Sequence, residues 1–149
     1  NSFVDEHTYL EGYRFNECVK LEERGYQFHP IGRYFQIGKL AVYHGHHFAG
    51  INHTRNHLLR LGTYVMYGHH HDIQQSSVTH LDGAKSAWSI GCLKDMSTDA
   101  NAWLDNRRIN WAHAFAIIDF YGEGDFTVDV VQIIDGKCSI WGNVIDGYA

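Results

Sequence analysis

The sequence predicts a single α/β (α+β) domain over residues 1–149, one βαβ unit continued by antiparallel strands. Three observations predict it. A β-rich run from Leu40 to Tyr43, a helical pattern from Thr54 to Leu61 and a second β-rich run from Thr63 to Tyr67 together span roughly 30 residues, the size of a parallel crossover unit. Asp135-Gly136, set between apolar residues, is a two-residue hairpin signal of the type I′ kind. A length of 149 residues, 44% of them apolar and only one of them Pro, suits one domain with its own core and leaves little for a second.

Each element has a local reason. Phe3 to Arg24 reads as an amphipathic helix: Phe3, Leu10, Tyr13, Cys18, Val19 and Leu21 share a broad face, and Gly25 offers a stop. Tyr26 to Phe28 is a short strand candidate before Pro30. Tyr34 to Ile37 and Leu40 to Tyr43 form a hairpin around Gly38-Lys39. Asn52 or Thr54 caps the helix from Thr54 to Leu61, with Leu58, Leu59 and Leu61 inward and Gly62 ending it in the left-handed conformation. Thr63 to Tyr67 returns as a strand parallel to the one before the helix, since such crossovers are right-handed and bring both strands to the same sheet edge. Further strands are expected over Ala87 to Leu93, Ala114 to Tyr121, Phe126 to Ile134 and Lys137 to Val144. Ser97 to Asn110 reads as loop or short helix, and Gly122-Glu123-Gly124-Asp125 as a looser turn.

Charge and composition exclude several classes. The net charge is -5, and no basic run exceeds Arg107-Arg108, which argues against a protein held to nucleic acid by bulk electrostatics. Cys18, Cys92 and Cys138 are odd in number and far apart, unlike a disulfide framework or a paired-cysteine zinc site. No apolar run approaches the roughly 18 residues needed to cross a bilayer, and Asn1 to Glu11 carry acids where a signal peptide carries bases. These features fit a cytoplasmic protein with no membrane partner.

Histidine is the unusual residue: 12 His stand against 12 Lys plus Arg, most of them between His44 and His80. His44 follows the first strand of the crossover unit and Gly68-His69-His70-His71 follows the second. The parallel topology therefore makes them neighbours at the carboxyl edge of the sheet, where α/β proteins tend to place their sites. In an extended segment His69 and His71 lie on one side and His70 on the other. With His44 approaching from the neighbouring strand, three neutral imidazoles converge as ligands for a borderline transition metal, and Asp72 can orient one of them. The competing reading is a solvated, histidine-rich surface loop.

Val42-Tyr43-His44-Gly45, the helix carrying Thr54-Arg55, and Val65-Met66-Tyr67-Gly68-His69-His70-His71 together resemble the C-terminal part of the calcineurin-like metallophosphoesterases. The resemblance extends more loosely through Ser89-Ile90-Gly91-Cys92 and the terminal hairpins. It implies a sandwich of two mixed sheets flanked by helices. It also implies a two-metal centre (Mn, Fe, Zn or similar) in which His44 and His69 ligate one ion and His71 the other. The activity implied is hydrolysis of phosphate mono- or diesters by a metal-activated water. The family's earlier motifs, Asp-x-His, Gly-Asp-x-x-Asp and Gly-Asn-His-Asp or Gly-Asn-His-Glu, are missing from this sequence, so the chain resembles a member starting just after the third. Two divalent ions about 3.5 to 4 Å apart need anionic ligands against their repulsion, and three imidazoles provide none. The expectation is a chain that supplies part of a site and has little activity alone.

The remaining candidates are weaker. Arg55, at the start of the crossover helix, is a candidate phosphate binder beside the helix amides, against the plain alternative of a solvent-facing arginine. His46 is a second substrate-binding candidate. His46, His47, His53 and His57 are all placed to donate a proton to a leaving group, and nothing chooses among them, so the catalytic residue is unknown. Cys92 reads as a buried structural thiol, and Trp88, Trp103, Trp111 and Trp141 as core or sheet-packing residues. His80 and Asp82 are pocket-wall or loop residues. A different class of function is a non-catalytic metal-binding or assembly module whose histidines hold a structural metal. His53-Thr54-Arg55-Asn56-His57 also hints at a His-Asn-His nuclease, but its residues are too close together for that finger. The substrate is left open among phosphorylated small molecules, nucleotides and nucleic acid. Strands without partners predict self-association or a complementing N-terminal segment.

Overall fold

The computed structural model describes residues 6, 14–30, 32–105, 107 and 109–148. It is a mixed α+β structure made mostly of strands, and it divides into two compact units, Asn1–Arg33 and Tyr34–Ala149. No helix among the described residues is long and apolar enough to cross a membrane.

In the first unit, helix α1 covers Phe15–Cys18. It stops where Lys20 takes a positive φ of 53°. The turns that follow end at Gly25, whose N–H bonds Glu22 C=O while the Tyr26 N–H reaches back to Leu21 C=O, the paired bonds of a Schellman ending. Gly25 is thus the expected stop, but the helix drawn to Arg24 has already loosened into turns after Cys18. The rest of that expected helix, residues 3–5 and 7–13, lies outside the described residues. The strand expected at Tyr26 to Phe28 does not form: Tyr26 and Phe28 are exposed and have no ladder to join.

The second unit opens with β1 (Phe35–Ile37) and β2 (Leu40–Val42), an antiparallel pair closed by Gly38-Lys39. Helix α2 (His53–Leu61) follows, with Gly62 left-handed at φ 64° and its N–H on Leu58 C=O. Strand β3 (Tyr64–Tyr67) then pairs parallel to β2, Leu40 opposite Tyr64 and Val42 opposite Met66. The crossover unit predicted from the sequence is present. Next come β4 (Ile73–His80) and β5 (Gly83–Ile90), an antiparallel hairpin whose second strand inserts beside β3, giving the order β1-β2-β3-β5-β4. A short 3-10 turn (Ala102–Leu104) precedes the hairpin of β6 (Ala114–Tyr121) and β7 (Asp125–Gln132), and β8 (Lys137–Ile140) and β9 (Asn143–Asp146) form a last hairpin.

The sheet is covered on both faces, as parallel strands require. Val65 and Tyr67 of β3 point to one side, where they pack with Tyr43, Ala87 and Leu58 of α2. Met66 points to the other, with Leu40 and Trp88, under Ala116, Ile118, Phe126, Val128 and Val130 of the β6–β7 hairpin. The Lys39 N–H to Gly124 C=O bond of 2.9 Å and the Lys39–Asp125 ion pair pin the tip of that hairpin to the β1–β2 turn.

Four expectations change. Strand β4 is not expected from the sequence because its residues, Ile-Gln-Gln-Ser-Ser-Val-Thr-His, are mostly polar; it is an edge strand whose inward Gln74 and Ser76 bond to Thr54 of the helix while Val78 packs on the core. The strand expected over Ala87 to Leu93 begins earlier and ends at Ile90, leaving Leu93 exposed. The single strand expected over Lys137 to Val144 is two, because Trp141 takes a positive φ of 48° and Gly142 one of 78° and the chain reverses there. Leu59 faces solvent at 54% exposure, and the inner face of α2 is made instead by His53, Thr54, His57 and Leu58. The last point reshapes the site.

Candidate metal centre

His44 and His69 meet where the parallel ladder runs out. The His69 N–H donates to His44 C=O at 3.0 Å, one register step past the β2–β3 pairing, and the side chains follow the backbone: His44 Nε2 lies 2.7 Å from His69 Nδ1. The rings cross at 72°. One N–H is shared in that contact, so at least one of the pair is in the neutral form. Burial, then the neighbouring His44, His70, His46 and His71, lowers the pKa of His69.

His71 arrives differently from the expectation. The segment from Gly68 to His71 is a turn, closed by the His71 N–H on Gly68 C=O, and His71 itself is left-handed at φ 60°. Strand alternation therefore does not place it. Its ring rests edge-on against Trp111 at 4.8 Å, and its Nδ1 is buried without a hydrogen-bond partner. Burial first, and then Lys94, His44 and His70, lowers its pKa. A neutral imidazole with an unpartnered nitrogen is the form a metal takes up.

His46 is exposed, stacked loosely between His44 and His47. Arg55 is exposed on the first turn of α2, but that turn is already supplied with acceptors: the Thr54 N–H bonds Gln74 Oε1 at 3.2 Å and the His53 N–H bonds Gly50 C=O. Few backbone amides are left there to share a phosphate with the guanidinium. Cys92 is half-buried in a bridge to His113, Trp88 is core, and Trp103 and Trp141 are largely exposed.

Behind this outer layer lies a second histidine group that the strand-end argument did not single out. His53 and His57 project inward from α2, four residues apart and fully buried, and His70 turns in to stack on His53 at 4.0 Å. Their spacing of four was the one signal in the sequence, and the apolar pattern of the leucines outweighed it. His53 Nε2–H donates to Asp72 Oδ2 at 2.9 Å, and its Nδ1 accepts from the Tyr67 hydroxyl at 2.5 Å. His57 Nδ1 is in close contact with the Tyr43 hydroxyl, while its Nε2 is buried with no partner. His70 Nε2–H donates to Phe48 C=O at 2.7 Å.

Asp72 is the carboxylate of this region, and it faces inward. Ser89 donates to Oδ1 at 2.6 Å and His53 to Oδ2. Burial alone raises the Asp72 carboxyl, but these hydrogen bonds and the nearby histidines outweigh it and hold the group below its ordinary value, so it stays ionised. Burial, with His53 and His70 adding to it, pushes His57 down to about 4. Burial raises Tyr43 and Tyr67 well above the ordinary phenol range, so both hydroxyls keep their protons. A cavity of about 310 Å³ opens onto this inner layer, bounded by His53, His70, Asp72, Gln74 and Trp111.

Set beside family models, curated proteins and solved structures, the chain matches none of them.

Proposed function

We propose that this chain supplies the histidine wall of a divalent-metal-dependent phosphoesterase, a hydrolase of phosphate mono- or diesters of the calcineurin-like kind. The observation that carries the reading is the contact of His44 Nε2 with His69 Nδ1 at 2.7 Å on the carboxyl edge of parallel strands; His71, whose Nδ1 is unpartnered, does not gather with them into the group of three that the sequence predicts. The reading is supported by a mixed sheet covered by a helix on one face and by a hairpin on the other. In this reading His44 and His69 hold one ion and His71 the other, with Mn, Fe or Zn as the metal. Such an ion pair supplies an activated water and stabilises charge on the phosphoryl oxygens. The chain's own contribution is to hold ring nitrogens at a fixed edge, and His46 and Arg55 are the residues proposed to contact the phosphate.

Charge balance sets the limit of the wall by itself. Asp72 is committed to His53 and Ser89, and three imidazoles bring no negative charge, so the outer set alone holds at most one ion, weakly. The carboxylates of a complete two-metal site come from a complementing segment or a second chain.

Isothermal titration with Mn²⁺ tests this. His44→Ala and His69→Ala should each abolish the outer binding, and His71→Ala should weaken it. Unchanged stoichiometry and affinity in all three would sink the reading, as would robust turnover of an aryl phosphodiester by the isolated chain.

A further inference from the structure

We infer that His53, His57 and His70 form a second metal site, separate from the edge histidines, which takes one borderline divalent ion such as Zn²⁺ or Co²⁺ and draws its fourth ligand from the adjoining cavity. One ring nitrogen from each of the three lies within 4.8 Å of the others.

What distinguishes these rings from ordinary core histidines is how each is anchored. A metal-ligating histidine hands its second ring nitrogen to a carboxylate, a carbonyl or a similar oxygen, which fixes the tautomer and aims the first nitrogen at the ion. All three do so here. His53 Nε2 is held by Asp72, His70 Nε2 by the Phe48 carbonyl, and His57 Nδ1 by the Tyr43 hydroxyl. The other ring nitrogens are His53 Nδ1, which accepts from the Tyr67 hydroxyl, His70 Nδ1 and His57 Nε2. The last is the telling one, since a ring nitrogen at 0% exposure with no hydrogen-bond partner is a desolvated polar group left unsatisfied. An ion satisfies it.

The electrostatics agree. Burial and the two neighbouring imidazoles keep His57 neutral at pH 7, the form that ligates. Asp72, ionised and 2.9 Å from His53 Nε2, brings one negative charge next to the ion, which the outer set lacks. Nitrogen donors of this kind suit Zn²⁺ and Co²⁺ better than Mg²⁺ or Ca²⁺. The cavity bounded by His53 and His70 gives an entry path and room for water at the open position. Two adjustments accompany loading: the His70 ring turns out of its stack on His53, and the Tyr67 hydroxyl leaves His53 Nδ1.

Co²⁺ titration of the full chain, followed by visible absorption, is the test. The wild type should develop the bands of tetrahedral cobalt at one equivalent, and His44→Ala and His69→Ala should retain them. His57→Gln and His70→Ala should lose them; the half-buried His70 position carries the test if the His57 change compromises folding. Asp72→Asn should weaken binding by about 10–100-fold, the usual effect of removing such an anchor. Tyr67→Phe, which removes the competitor for His53 Nδ1, should bind at least as tightly as the wild type, an effect that a purely structural histidine cluster does not produce. Absence of the bands in the wild type overturns the inference, as does their persistence in both His57→Gln and His70→Ala or their loss in His44→Ala alone. Because the outer set is read with Mn²⁺ and different variants, the two sites fail separately.

Discussion

Gly45→Ala tests the packing behind His44. Gly45 has a φ of +95°, and an added Cβ would stand 2.5 Å from Cγ and 2.6 Å from Cβ of Tyr67. The Tyr67 ring has nowhere to go: it is 2% exposed, packed with Tyr43 and Leu58, and tied by its hydroxyl to His53. The positive φ costs an alanine about 1–2 kcal/mol, and forcing an extra methyl into a filled core costs about 1–3 kcal/mol more. Gly50→Ala is the matched control, because its φ is +88° but an added Cβ meets nothing within 4 Å. Urea unfolding at pH 7 in the presence of a chelator should therefore show Gly45→Ala losing about 3 kcal/mol and Gly50→Ala only about 1. The same displacement should part His44 from His69 and reduce Mn²⁺ binding in Gly45→Ala alone. Equal losses in the two variants would refute the argument that Gly45 is required by contact with Tyr67.

Leu58→Ala should cost about 2–5 kcal/mol and Leu59→Ala under about 0.5, since Leu58 is fully buried and Leu59 is 54% exposed; thermal or urea denaturation separates them. Ser89→Ala removes a donor from a buried, ionised carboxylate and should destabilise the chain by about 1.5–3 kcal/mol, whereas Ser77→Ala, at an exposed hydroxyl pair, should be nearly neutral. In metal-free protein, acid should act through His57, which faces His53, His70, His47 and Tyr43. Above pH 6.5 the ring is neutral in both folded and unfolded chains. As pH falls from 6.5 to about 4 the unfolded chain takes a proton that the folded one refuses, so stability drops by about 3 kcal/mol, a decrement that His57→Gln should lack.

Local signals carried much of the fold. Gly38-Lys39, Asp135-Gly136 and Gly62 act through backbone conformations that neighbouring residues define, and the structure turns at each of them. The β-rich runs around α2 likewise pair as parallel strands. Strand β4 was illegible because an edge strand needs little alternating hydrocarbon: Gln74 and Ser76 bond to Thr54 of α2, and Val78 is the one apolar residue on its inward side. Trp141-Gly142 was illegible as a turn because an exposed Trp at positive φ carries no strong turn preference.

For the site, the sequence by itself determined that His44 and His69 would be neighbours, because a right-handed parallel crossover brings both strand ends to one edge whatever the loops do. Only the tertiary structure decided which way each imidazole faces. Burial of the α2 face against β3, and the tight turn at Gly68 to His71, send His53, His57 and His70 inward onto Tyr43, Tyr67 and Asp72. His44 and His69 are left at the rim. Periodicity encodes the edge, but the direction of a side chain near a turn depends on contacts that form only once the sheet and helix have packed.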